Sequence, residues 1–106
     1  MRVLLDECLP RKRGLLLTGH AVTTVPYAGW AGIVNGKLLA LVAGHYDAFI
    51  TVDKNLPAQQ NTAALPFGII VLGSPTNQLA DLKPLVPQIL AALGTLQPGK
   101  VAFVSI

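Results

Sequence analysis

The chain has 106 residues, 52% of them hydrophobic and only 12% charged, which excludes a disordered polymer and fits one domain over residues 1–106. No apolar run reaches the roughly 18 residues of a membrane-spanning helix, and acids within a few residues of Met1 do not suit a secretory signal. The single cysteine, Cys8, rules out an internal disulfide or a cysteine zinc cluster and points to a reducing cytoplasm, while the net charge of +3 is compatible with nucleic acid without identifying it.

The first segment, "RVLL" at 2–5, is short, apolar and followed by acids, the pattern of a buried strand. Pro10 suits the first turn of a helix that runs through "RKRGLLLTG" and stops at Gly19. "HAVTTV" at 20–25 is β-branched and predicts a second strand, and the glycine- and aromatic-rich "PYAGWAG" predicts a loop. Asn35 is placed to cap a helix over "GKLLALVAG", with Gly44 at its end. "DAFITV" predicts a third strand ending on Asp53, the polar "KNLPAQQNTAALP" leaves room for a short helix, and "FGIIVL" predicts a fourth strand. The tract at 73–94 has a helical pattern that Pro84 and Pro87 should break, and "KVAFVSI" forms a last strand after the turn "QPG".

Strands alternate with helices, and the inner strands are apolar on both faces. This predicts an α/β fold, a three-layer α/β/α sandwich with a largely parallel sheet of about five strands. Ligands of such sheets bind beyond the carboxyl ends of the strands. Asp6 and Glu7 follow the first strand and Asp53 the third. If those strands are neighbours, their carboxylates share one crevice, where they repel unless a cation bridges them. Oxygen-only donors suit Mg²⁺ or Mn²⁺ better than zinc. The competing structural role is that these acids bond loop N–H groups or helix ends, most of all Glu7.

The stretches "MRVLLDECLP", "GWAGIVNGKLLALV" and "FITVDKNL" together resemble a small single-domain PIN-like family of unknown function, similar to the toxin nucleases of bacterial toxin–antitoxin pairs. The likeness runs in order from Met1 to about Leu72. It implies a PIN-like sandwich, Mg²⁺- or Mn²⁺-dependent cleavage of RNA by water, and an antitoxin protein as partner. Carried over by position, Asp6 matches the first-strand acid, Asp53 the acid after the third strand, and Thr51 the hydroxyl two residues before it. Three departures stand out. Cys8 replaces the usual Asn of a "DENLP"-like motif, Lys37 stands near an acid often found in "DGELL", and Asn55 stands where a second acid is frequent. The expected ligand set is then Asp6, Asp53 and Glu7 with the carbonyl oxygens of Asn35 and Asn55, an acidic site partly degraded and of reduced cation affinity.

On that reading Arg11, Lys12, Arg13 and Lys54 contact RNA phosphates. His20 and His45 lack ligand spacing, and Tyr27, Trp30 and Tyr46 serve packing or base stacking. The leucine- and alanine-rich "LVPQILAALGTL" serves the core or a homodimer surface. Two other classes of function compete. One is a non-catalytic binding or assembly module on the same fold. The other is a phosphoacceptor receiver, with Asp6 and Glu7 as the acid pair, Asp53 as acceptor and Ser74 as the hydroxyl; it lacks a lysine at the end of the fifth strand, because Lys100 precedes that strand.

Overall fold

The apolar runs join side by side in one sheet. The computed structural model describes residues 1–7, 9, 17–59, 61–73 and 82–105. Its strands are β1 (Arg2–Leu5), β2 (Ala21–Thr24), β3 (Ala48–Thr51), β4 (Gly68–Gly73) and β5 (Val101–Ser105). They run in the order β2-β1-β3-β4-β5, every neighbouring pair parallel. The protein is an α/β fold with an all-parallel five-stranded sheet. The helix expected from Pro10 to Gly19 lies almost wholly outside the described residues, as do Cys8 and Ser74.

Period-2 alternation sends successive side chains to opposite faces, and here both faces are buried. Val3, Leu5, Ala48, Ile50, Ile70, Leu72 and Val104 look one way, against Leu82, Leu85, Ile89 and Leu93. Leu4, Phe49, Ile69 and Val71 look the other way, against Leu38, Leu39, Val42, Leu56 and Phe67. The first face is covered by α3 (Val86–Thr95) and the short 3₁₀ turn Lys83–Leu85 before it. The second is covered by α1 (Asn35–Ala43) and by Leu56 of α2 (Leu56–Gln59). The leucine-rich C-terminal segment therefore spends Leu85, Ile89 and Leu93 on its own core, not on an outer face.

The prolines explain the break expected within 73–94. Pro84 falls in the opening positions of the 3₁₀ turn and Pro87 in those of α3, where a missing N–H leaves no bond unmade. Asn35 is displaced by one position from its expected capping role: Val34 occupies the cap in extended conformation, since its carbonyl already accepts from the Leu38 N–H at 2.9 Å. At the turn before β5, Gly99 has φ +77°, and a Cβ there would lie 2.6 Å from the Ala63 carbonyl oxygen, so only glycine fits.

Because all strands point one way, their carboxyl ends share a rim. The chain winds from β1 outward to β2 on one side and from β3 to β5 on the other, so the winding reverses between β1 and β3. That reversal is the topological switch point where open parallel sheets form a crevice.

A candidate cation centre at the ends of β1 and β3

Asp6 is the first residue beyond β1, and its N–H continues the ladder by donating to the Ile50 carbonyl of β3 at 2.9 Å. Its backbone is thereby locked to the neighbouring strand before its side chain is considered. Asp6 Oδ1 accepts the Glu7 N–H at 2.8 Å, and Asp6 Oδ2 accepts the Thr51 hydroxyl at 2.6 Å. Thr51, the last residue of β3, is 0% exposed. A hydroxyl has one proton to give. With that proton directed to Asp6, the Thr51 oxygen accepts the Asp53 N–H at 3.1 Å.

The chain continues on the far side. Asp53 Oδ1 accepts the Asn55 N–H at 2.9 Å, and the Asp53 carbonyl accepts the Leu56 N–H at 3.3 Å, which leads into α2. One buried hydroxyl thus couples the Asp6 carboxylate to the backbone that carries Asp53. Every bonded carboxylate oxygen keeps a further lone pair, so the pair retains the hard-oxygen capacity that Mg²⁺ or Mn²⁺ requires. Among the described residues the one ion pair, Arg2 to Asp47 at 3.9 Å, sits at the opposite rim, where Arg2 opens β1 and Asp47 precedes β3. No basic side chain among the described residues neutralises Asp6 or Asp53.

Glu7 is exposed, and its Oε2 accepts the Gly32 N–H at 3.3 Å. Its carboxylate anchors the loop between β2 and α1, the competing role recognised from sequence. Lys54 and Asn55 are exposed beside Asp53, and Lys37 is exposed on α1. Asn35 opens α1. Arg11, Lys12 and Arg13 lie outside the described residues. Among the described residues no group of three or more His, Cys, Asp or Glu side chains gathers in a form able to hold a metal ion. The acids at this rim that could hold a cation are, among the described residues, Asp6 and Asp53, a small count that would still suit Mg²⁺, which keeps several waters and commonly takes one or two protein carboxylates together with substrate phosphates.

Tyr27 is exposed, whereas other polar and aromatic candidates are engaged elsewhere. His45 Nδ1 bonds the Leu41 carbonyl at 2.8 Å, and its ring meets Trp30 edge to face at 5.7 Å. Trp30 also meets Tyr46 at 5.9 Å, and both pack on the α1 side of the core. Lys100 precedes β5 and so stands at the rim opposite Asp53. Sequence reasoning missed the Glu7–Gly32 bond, for which no local pattern exists across 25 positions. It also missed how Asp6 is fastened to Ile50, a register fact. No family model matches the chain, and neither a curated protein nor a solved structure matches it.

Proposed function

We propose that the protein is a divalent-cation-dependent ribonuclease of the PIN-like kind, with Asp6 and Asp53 as the cation-holding residues. One observation carries this reading: at the β1/β3 switch point the buried Thr51 hydroxyl joins the Asp6 carboxylate to the backbone N–H of Asp53, with no basic partner to either acid among the described residues. When bound there, Mg²⁺ or Mn²⁺ would supply a water of lowered pKa and offset negative charge on the scissile phosphate.

The chain's own residues do the rest. Thr51 orients Asp6 through its proton and fixes the Asp53 backbone through its oxygen. Lys54, exposed next to Asp53, is positioned for an RNA phosphate, and Arg11, Lys12 and Arg13 extend the same positive charge in the sequence. With two carboxylates as the acids that the described residues offer, affinity for the free cation is weak and rises when RNA phosphates complete the shell. As the toxin of a toxin–antitoxin pair, the protein would take a small antitoxin as its protein partner, in the cytoplasm.

Incubation of the purified protein with RNA and Mn²⁺ tests the proposal. Cleavage that disappears in both Asp6→Asn and Asp53→Asn supports it; equal cleavage by those variants assigns the activity to a contaminant and removes it. A second reading, a non-catalytic binding module, draws on the lack of a three-residue acid or metal-ligand cluster among the described residues. RNA binding without cleavage, with Mn²⁺ titrations giving no heat, selects that reading. The receiver reading loses ground because Lys100 stands at the far rim, away from Asp53.

A further inference from the structure

We propose that β5 is a self-association edge, and that its occupant is the β5 strand of a second copy of this chain, paired antiparallel about Phe103. This goes beyond the nuclease reading and does not depend on it. β5 ends the sheet and pairs only with β4, so among the described residues no strand lies along its other side. The bond from the Ile69 N–H to the Lys100 carbonyl sets which residues face β4. In a parallel ladder that assignment alternates. Lys100, Ala102 and Val104 turn their main-chain groups to β4, while Val101, Phe103 and Ser105 turn theirs outward.

Those outward groups complement their own copy. With a two-fold axis at Phe103, Phe103 faces Phe103 of the other copy, and Val101 faces Ser105, each pair exchanging both N–H···O=C bonds. Side chains obey the same symmetry. Ala102 and Val104 belong to the α3 face and Val101 to the α1 face, which puts Phe103 on the α1 face. Phe103 is 68% exposed, a large aromatic left uncovered on an edge strand. The two-fold brings two such rings directly opposite one another, the cross-strand pairing that stabilises sheets.

Soluble proteins guard open edges with lysine, proline, bulges or inward charges. "VAFVS" contains none of these residues. No charge on the strand opposes its own copy across the axis. The other edge, β2, is "AVTT", with no large exposed apolar side chain and a buried Thr24. The asymmetry selects β5. Strand pairing of this length lies at the weak end of interfaces, so the dimer forms and dissociates with concentration.

Sedimentation of the full chain over a wide concentration range tests the proposal, with Phe103→Glu and Phe103→Lys alongside. The wild type shifts to a dimer as concentration rises. Each variant alone associates about tenfold more weakly, because like charges then face each other, and a one-to-one mixture of the two regains a heterodimer. Amide exchange on the wild type provides an independent check: Val101, Phe103 and Ser105 N–H groups gain protection with concentration, while those of Ala102 and Val104 are protected throughout. A wild type that stays monomeric, variants that dimerise as the wild type does, or concentration-independent exchange at the odd positions overturns the proposal. None of these readouts involves RNA or a cation, so they stand whether or not the nuclease reading does.

Discussion

Replacing Thr51 by valine keeps nearly the same buried shape and removes one hydroxyl. That hydroxyl donates to Asp6 Oδ2 at 2.6 Å and accepts the Asp53 N–H at 3.1 Å. A hydrogen bond to a charged group contributes about 1.5–3 kcal/mol and a neutral one about 1 kcal/mol. Asp6 and Asp53 are half-buried, so water recovers part of both bonds, and the valine methyl returns less than about 1 kcal/mol. The net loss is about 2 kcal/mol. For a domain of this size each kcal/mol moves the melting midpoint by roughly 4–8 °C, giving a fall of about 8–16 °C. Urea unfolding followed by circular dichroism measures the change directly, provided the slope m is unaltered. Thr51→Ser, which keeps the hydroxyl and loses only a methyl, should cost about 1 kcal/mol. Thr51→Val within about 0.5 kcal/mol of the wild type, the range of ordinary surface changes, would refute the claim that this hydroxyl couples the two acids.

Three further outcomes follow from the same structure. Gly99→Ala forces a side chain onto φ +77° and against the Ala63 carbonyl, so it should destabilise by at least about 2 kcal/mol in a thermal melt; an unchanged midpoint would contradict the turn geometry. Phe49→Ala empties a fully buried site on the α1 face and should cost about 3–5 kcal/mol in urea, with a loss under about 1 kcal/mol contradicting the packing described. Single-stranded RNA binding should weaken with salt at a log–log slope of about −3 if Arg11, Lys12, Arg13 and Lys54 all meet phosphates, and a slope near zero would remove the electrostatic interface.

Strand positions were the most legible feature, because a run such as "FGIIVL" that is apolar on both faces has few places to go except a doubly covered sheet. Boundaries moved by a residue: β3 is Ala48–Thr51 and β4 is Gly68–Gly73 where 47–52 and 67–72 were expected. Thr51 was legible only by resemblance; the structure adds the physical reason, a buried hydroxyl that must find a partner. Its partner, Asp6, follows from strand adjacency. The β1–β3 contact is written in neither strand alone and comes from the topology. Phe103 shows the opposite case. "KVAFVSI" reads simply as a last strand, and the strand order among the described residues shows β5 at the end of the sheet with an aromatic left outside. Glu7 and Gly32 meet because the loop after β2 folds back over the rim, and nothing local in either segment encodes that contact.

Backbone amide NMR during a Mn²⁺ titration tests the shared cation centre most directly, because paramagnetic broadening falls steeply with distance from the ion. The structure predicts early, selective loss of the Asp6, Glu7, Val52, Asp53 and Lys54 signals, with Lys100 at the far rim unaffected and the whole effect abolished in Asp53→Asn. Broadening that begins elsewhere, or that persists unchanged in Asp53→Asn, would show that positions 6 and 53 do not hold a common ion.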